Sequence, residues 1–586
     1  MQNLIPLLEK TFGYRSFRPG QQAIIEKIFE KKPVLGIMPT GGGKSICYQL
    51  PALALPGVTL VISPLIALMK DQVDSLQEMG IAAAYINSSL SQEQWQQRMQ
   101  QARNGELKLL YVAPERLEAA SFQQLLESLP IDLVAIDEAH CISQWGHDFR
   151  PSYLKIPELL QGLPASASVV ALTATATPKV ADDICQLLKI PAENRVQTGF
   201  ARENLAFEVV KEQKDLYLQE YLKLNKGQAG IIYAATRKEV DRLFYILKDG
   251  GFSVGRYHGG LSEAERSSNQ EAFLFDQRTV MIATNAFGMG INKSNVRFVI
   301  HDQIPGNLES YYQEAGRAGR DGLSSEAVLL FAPQDIQVQK FFIEQSQGTI
   351  AYQQQEYLKL REMEQYAHTQ GCLQCYILHY FGEEAGDCGR CSNCLDQREQ
   401  VEITLETQKI LSCIKRMGER FGKGLVAQVL TGSKNQKVLQ WHFETLPTYG
   451  LMKDWGQKEL TQLIDYLTAE GYLIPSDGQF PTLKLANSGV EVLKGQRKVY
   501  RRQAQVRQLV ADDALFERLR ELRSDLAQQQ KLPPYMIFSD KTLRELADKQ
   551  PQNSLEFLAI NGVGQNKLDK YGAVFIDLIQ QSSQTE

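Results

Sequence analysis

The sequence predicts a multidomain α/β protein: two doubly wound parallel-sheet domains followed by three smaller, mostly helical modules. Three observations predict it. The chain has 586 residues, well past the roughly 250 to 300 at which a single hydrophobic core stops growing. From Lys32 to about Phe331, short apolar runs such as VLGIM, VTLVIS, IDLVAID and SVVALTA alternate with helical stretches. That alternation belongs to parallel sheets covered on both faces. Beyond Pro333 the pattern turns helical, and a cluster of cysteines lies between Cys372 and Cys394.

Taken in order, the strand series restarts near Ala229 (AGIIYAA, TVMIATN, VRFVIHD, EAVLLFA) after the irregular stretch IPAENRVQTGFARENL. Two α/β domains, 1–200 and 201–335, are therefore expected to meet near residue 200. Residues 336–400 hold the cysteine cluster. In 401–510, helical segments precede GYLIPSDGQFPTLKLA, two short apolar runs around an Asp477-Gly478 turn. Helices followed by a hairpin predict a winged helix. A Gln/Arg-rich linker, GQRKVYRRQAQVRQ, then leads to a last helical piece within 511–586.

Composition narrows the class. With 43% hydrophobic and 22% charged residues, and no apolar run near the ~18 residues a membrane span needs, neither a membrane protein nor a disordered tail is expected. The first residues reach acidic Glu9 early and lack the basic-then-apolar layout of a secretory signal, so a cytoplasmic location is expected. The net charge of −5 is unevenly spread: −8 over residues 1–400, +6 over 401–510 and −3 over 511–586. A basic block in an acidic chain predicts a polyanion-binding face, against the plainer reading of a solvated charged surface.

Strand VLGIM runs into PTGGGKS and a helix-like SICYQLPALAL, the layout of a phosphate loop. Thr40, Gly41, Gly42 and Gly43 let backbone N–H groups close around phosphates, Lys44 neutralises their charge, and Ser45 can hold Mg²⁺. Met38 stands where the strict phosphate-loop pattern has its first glycine. Strand IDLVAID delivers Asp137, a metal-binding carboxylate, and Glu138, placed to polarise an attacking water; His140 beside them is expected to sense the γ-phosphate. In ESYYQEAGRAGRDG, the three- to four-residue spacing of Gln313, Arg317 and Arg320 predicts one helical face whose arginines reach across a cleft to that phosphate. The run CISQWGHDFRP contains Trp145, His147, Phe149 and Arg150: stacking surfaces and a cation suited to sensing a single strand without reading sequence.

With PTGGGKS, DEAH, TATAT and QEAGRAGR in this order, the chain resembles a superfamily-2 helicase. FRPGQ at Phe17 to Gln21, CISQWGHDFRP and FGMGINK narrow the resemblance to the RecQ family, over nearly the whole chain. The resemblance implies two RecA-like domains, a zinc region, a winged helix and a terminal module like the HRDC domain. It also implies an ATP- and Mg²⁺-dependent DNA helicase moving 3′ to 5′ on single strands and unwinding duplex or branched DNA in recombination and repair. Gln21 would read adenine, Arg320 would be an arginine finger, and SPLIALMKDQ and APERL would touch the phosphodiester backbone. One departure is HDQIP: Asp302 follows His301 directly, and Gln303 stands at the family's usual acidic position.

For zinc, which takes four ligands in a closed structural site, five cysteines compete. Spacing alone favours Cys372, Cys375, Cys388 and Cys391; the family resemblance implies Cys372, Cys388, Cys391 and Cys394. The resemblance further implies docking of the C-terminal tail of single-strand-binding protein on the winged helix, with Arg416 at a matching basic position and Arg501 and Arg502 as further candidates. Tyr535 in the last module is expected to stack on a base, although the −3 charge there argues against strong DNA affinity and leaves a protein-contact or regulatory role open. A bacterial, nucleoid-associated monomer is expected. Competing readings are an RNA-dependent or pure translocase ATPase, and a zinc-containing nucleic-acid-binding protein whose ATPase serves only as a conformational clock.

Overall fold

A computed structural model describes residues 4–87, 90–163, 167–211, 213–288, 293–346, 348–476, 480–502, 514–530 and 532–583. The tip of the expected hairpin (477–479), most of the Gln/Arg-rich linker (503–513) and the middle of FGMGINK (289–292) lie outside the described residues.

The first sheet holds β1 (Val34–Ile37), β2 (Val58–Ile62), β3 (Ala83–Ile86), β4 (Leu109–Val112), β5 (Ile131–Ile136), β6 (Ser168–Thr173) and β7 (Arg195–Gln197) in the order 3-4-2-5-6-1-7, every pairing parallel. The second holds β8 (Leu205–Val210), β9 (Ala229–Tyr233), β10 (Val254–Tyr257), β11 (Val280–Ala283), β12 (Val296–His301) and β13 (Ser325–Leu330) in the order 10-11-9-12-13-8, again all parallel. Strands buried on both faces explain the continuous apolar runs: every residue of β1, β2, β4, β9 and β11 is buried. Ligands in such sheets bind beyond the carboxyl ends of the strands. The phosphate loop follows β1 and the carboxylate pair follows β5, so both open at that edge.

The cysteine region is a long helix, Ile350–His368, and a short one, Leu373–Tyr380, packed against the second domain. The module after it is closed by β14 (Gln400–Glu402) pairing antiparallel with β17 (Tyr500–Arg502), and carries the hairpin β15 (Leu473–Pro475) and β16 (Leu483–Leu485). Its helix Gln457–Ala469 does not face outward: it packs on Ile350–His368, and Lys423 bridges the two through Asp465 (2.6 Å) and Glu364 (3.0 Å). The final helical module has its own core, centred on Phe538, Phe557 and Phe575. It rests on the second domain through Arg523, which is fully buried, bonds Asp540 at 2.7 Å and lies 3.8 Å from Asp276.

Candidate active site and zinc centre

The phosphate loop is shaped by conformations that only glycine adopts without strain: Gly41 and Gly43 have φ of 83° and 79°. A Cβ on Gly43 would stand 2.6 Å from Gln21 Nε2. Met38 explains the missing first glycine. It continues the sheet, donating its N–H to Thr173 O, and its side chain is buried beneath the loop, so the turn begins only at Pro39. Helix Ile46–Ala54 then leaves the loop directly.

At the end of β5, Asp137 is anchored through its N–H to Ile62 O, and its carbonyl accepts from the Tyr153 hydroxyl at 2.9 Å. Glu138 adopts a left-handed backbone (φ 47°), a sparsely populated state for a residue with a side chain, and turns the chain into Ala139–Ile142. His140 Nδ1 lies 3.3 Å from Glu138 Oε2 and 2.9 Å from Thr173 Oγ1. Burial, helped by Glu138 and opposed by Lys44, pushes the Asp137 carboxyl up to about 7.

One cavity of about 330 Å³ is lined by Thr40, Gly41, Gly43, Lys44, Ser45, Asp137, Glu138, Gln313, Arg317 and Arg320. It thus joins residues from both domains, as the sequence led one to expect, but the arginines arrive differently. Helix Leu308–Ala315 carries Gln313 and stops at Gly316, so Arg317 and Arg320 lie on the turn beyond it and not on a helical face. Burial and the neighbouring Arg317 and Arg202 lower the Arg320 guanidinium to about 9. Several cations and backbone N–H groups converging on a desolvated cavity suit a polyphosphate, and Ser45 and Asp137 on its wall are oxygen donors of the kind Mg²⁺ takes. His140 Nε2 is buried with no hydrogen-bond partner among the described residues.

Gln21, expected to read adenine, lines the cavity with its amide already engaged: Nε2 donates to Gly43 O at 3.0 Å, and Oε1 accepts from Arg18 N at 2.8 Å. Arg18, overlooked in the reading of FRPGQ, donates to Gly41 O.

The aromatic loop lies beside this cavity. Trp145 is 41% exposed with the Lys179 ammonium over its ring, so it is no core residue. Gly146 is needed there because a Cβ would meet His140 O at 2.4 Å. His147 stacks on His140 with ring centroids 4.4 Å apart, and Phe149 is half-buried. Arg150 differs from expectation: it is held by Asp148 at 3.1 Å and by Pro64 O at 2.8 Å, which makes it a brace of the loop instead of an open cation. Tyr535 is half-buried, with Asp71 and Glu78 of helix Ile66–Glu78 among its neighbours, so its ring is only partly open to a base. The HDQIP departure sits inside the second domain: Gln303 Oε1 accepts from Ala235 N at 3.0 Å, and Asp302 is buried.

The sulfurs of Cys372, Cys388, Cys391 and Cys394 all lie within 4.8 Å of one another. Cys375 points away, its thiol donating to Ala385 O at 2.9 Å. Spacing alone therefore chose the wrong fourth ligand. Cys372 precedes its helix as N-cap, its sulfur accepting from Cys375 N at 3.4 Å, while the Cys375 thiol itself is turned to Ala385 O. Four clustered thiols without an acid or an open position fit a closed structural Zn²⁺ site.

Family models match in chain order: DEAD/DEAH box helicase over residues 18–184, helicase conserved C-terminal domain over 213–322, RecQ zinc-binding over 333–395, RQC domain over 397–511 and HRDC domain over 512–579. The chain is 54% identical to the ATP-dependent DNA helicase RecQ of Bacillus subtilis over 98% of both chains. The chain belongs to the RecQ family of DNA helicases. It is also 41% identical to RecQ of Pasteurella multocida, over 99% of this chain and 94% of that one. As a RecQ helicase it couples ATP hydrolysis to DNA unwinding, uses ATP with Mg²⁺, and carries zinc in its four-cysteine cluster. Its two parallel-sheet domains are the RecA-like motor. Among the described residues no helix is long and apolar enough to cross a membrane.

Proposed function

We propose that this RecQ helicase moves 3′ to 5′ along one DNA strand and that the cavity between its motor domains is where each step is driven. The direction is what membership of the RecQ family implies; the placement of the driving site is carried by the convergence on that cavity of the phosphate loop, the Asp137–Glu138 pair and the two arginines of the second domain. Lys44 and the loop N–H groups hold the phosphates. Ser45 and Asp137 would hold Mg²⁺, which would supply charge neutralisation there. Glu138 accepts the proton of the attacking water, held in place by its left-handed backbone and by His140. Arg317 and Arg320 stabilise charge on the transferring phosphoryl group.

Single-stranded DNA is sensed by Trp145 beside the hydrolytic carboxylates, and duplex is held by the basic winged-helix module. The C-terminal tail of single-strand-binding protein is proposed to dock on that module through Arg416, which is exposed, whereas Arg502 is engaged with Gln370 O and Asn393 O. The protein is proposed to act as a monomer in the bacterial cytoplasm at the nucleoid. Strand displacement on 3′- and 5′-tailed duplexes, with and without ATP, tests the core of the proposal: unwinding should require ATP and a 3′ tail. Equal unwinding from a 5′ tail would refute the polarity.

A further inference from the structure

Arg202 lies in the segment between the last strand of the first sheet and the first strand of the second, a stretch without periodicity that the sequence marked only as a boundary. Its side chain is buried, 8% exposed, yet among the described residues it faces no carboxylate within hydrogen-bond reach. Its Nε donates to Asn204 Oδ1 at 3.4 Å, and the other guanidinium nitrogens meet backbone carbonyls. Nη1 donates to Thr40 O of the phosphate loop at 2.8 Å and to Gly316 O at 3.3 Å; Nη2 donates to Ala318 O and Gly319 O, both at 3.0 Å. The three carbonyls of the second domain follow the C-terminus of helix Leu308–Ala315, where carbonyls lack helical partners and the helix dipole is negative. Asn204 secures the same turn, donating to Gly319 O and Leu323 O at 2.8 Å each.

Loop and turn touch closely here. A Cβ on Gly316 would come within 3.1 Å of Thr40 Cβ, and one on Gly41 within 3.5 Å of Arg320 Cα. The carbonyl of Arg202 is itself fixed, accepting from Arg390 at 3.0 Å; Arg390 stands between the zinc-site residues Cys388 and Cys391 and also bonds Gln374 at 2.8 Å.

We infer that Arg202 is a positioning residue for ATP hydrolysis, clamping the turn that carries Arg317 and Arg320 against the phosphate loop. Only arginine suits this place. A planar fork of five donors reaches carbonyls on both sides of the interface at once, whereas a lysine ammonium is a compact point charge on a single stem. Arg202 does not touch phosphate; it fixes the distance from which the two arginines do. The inference rests on the proposal that Arg317 and Arg320 act on the phosphoryl group.

The test uses the full chain and compares Arg202→Gln, Arg202→Lys, Asn204→Ala, Arg320→Ala and the Arg202→Gln/Arg320→Ala pair for DNA-stimulated ATP hydrolysis, zinc per chain and melting temperature. Displacing reacting groups by about 1 Å costs on the order of 10²-fold in rate. Arg202→Gln should therefore lower kcat by about that factor with KM changed less than ~3-fold, since an interaction made only in the transition state is lost. Arg202→Lys should recover part of the loss, and the double variant should be no slower than Arg320→Ala alone. A folded Arg202→Gln protein hydrolysing within ~2-fold of the parent, a rise in KM at unchanged kcat, or losses that multiply in the double variant would each overturn the inference. Should Arg202→Gln fail to fold, Asn204→Ala, which frees Gly319 O and Leu323 O of the same turn and also removes the 3.4 Å contact of Asn204 Oδ1 with Arg202 Nε, must show the kcat-specific loss; parental turnover there overturns the inference equally. If Arg320→Ala itself is harmless, the underlying reading of the arginines fails; if it is crippling while Arg202→Gln is not, only the role of Arg202 does.

Discussion

His147 and Gln313 meet across the cleft between the motor domains, Nε2 to Oε1 at 3.3 Å, although 166 positions separate them in the chain. On its other side the His147 ring stacks on His140, which in turn contacts Glu138. A continuous path of side chains therefore joins the aromatic loop, the hydrolytic carboxylate and the helix leading to the arginine turn. Gln313→Ala is expected to keep the fold and ATP binding while reducing DNA-stimulated hydrolysis. Its effect and that of His147→Ala should be non-additive, as for any pair in direct contact. Independent, additive losses in a double-mutant cycle would show that the contact carries no coupling.

Trp145→Ala separates sensing from binding. The phosphate backbone supplies most sequence-independent affinity, so single-strand binding should persist while stimulation of ATP hydrolysis by DNA drops. Because Trp145 is 41% exposed, its melting temperature should stay near that of the parent. A variant that loses all activities together with its stability would put the ring back in the core.

Glu138→Gln retains shape and removes the carboxylate proposed to take the proton from water. ATP binding should survive, with turnover falling by about 10²- to 10⁴-fold, the range of a positioned general base. Filter binding of ATP beside a hydrolysis assay checks it; parental turnover would exclude Glu138 as the base.

The cysteines make a sharp pair. Cys394→Ser should lose zinc and solubility, because structural zinc contributes about 10 to 16 kcal/mol of folding free energy in small modules. Cys375→Ser, which changes only a thiol held by Ala385 O and His379 outside the cluster, should keep one zinc per chain in metal analysis. The reverse result would restore the set that spacing favours.

Asp302 makes stability depend on pH in a direction opposite to that of a salt-bridged acid. Burial pushes its carboxyl from 3.8 to about 7; Lys214 and Arg242 oppose the shift, and Glu239 and Asp335 reinforce it. The folded state therefore holds a proton that the unfolded state has already released, and stability falls as pH rises from about 4 to about 7. Each unit of separation corresponds to about 1.4 kcal/mol. Asp302→Asn should melt higher than the parent at pH 8, with the difference shrinking toward pH 4. Melting curves at the two pH values measure this; a constant offset would mean Asp302 is ionised in the folded protein throughout.

What the sequence by itself determined was whatever local pattern encodes. Continuous apolar runs between helical stretches specified two buried parallel sheets, because strands covered on both faces have no solvent side to alternate toward. Glycines and a lysine between β1 and a helix specified a phosphate loop, and the carboxylates closing an apolar strand specified its partner. The tertiary structure alone decided the relations between distant segments. Whether Cys375 or Cys394 completes the zinc site depends on which thiol the later turn brings to Cys372 and which is taken by a carbonyl, as Cys375 is by Ala385 O, and spacing along the chain does not record that. Arg150 carried the signature of a DNA contact, yet Asp148 and Pro64 O claim its charge, and Tyr535 is half-buried with Asp71 and Glu78 of the first domain beside it. Arg202 had no signature at all, since, apart from Asn204 two residues on, its partners are backbone carbonyls of Thr40 and of the turn after Ala315, and a carbonyl is present at every residue of the sequence. Only the fold could aim those particular carbonyls at one guanidinium.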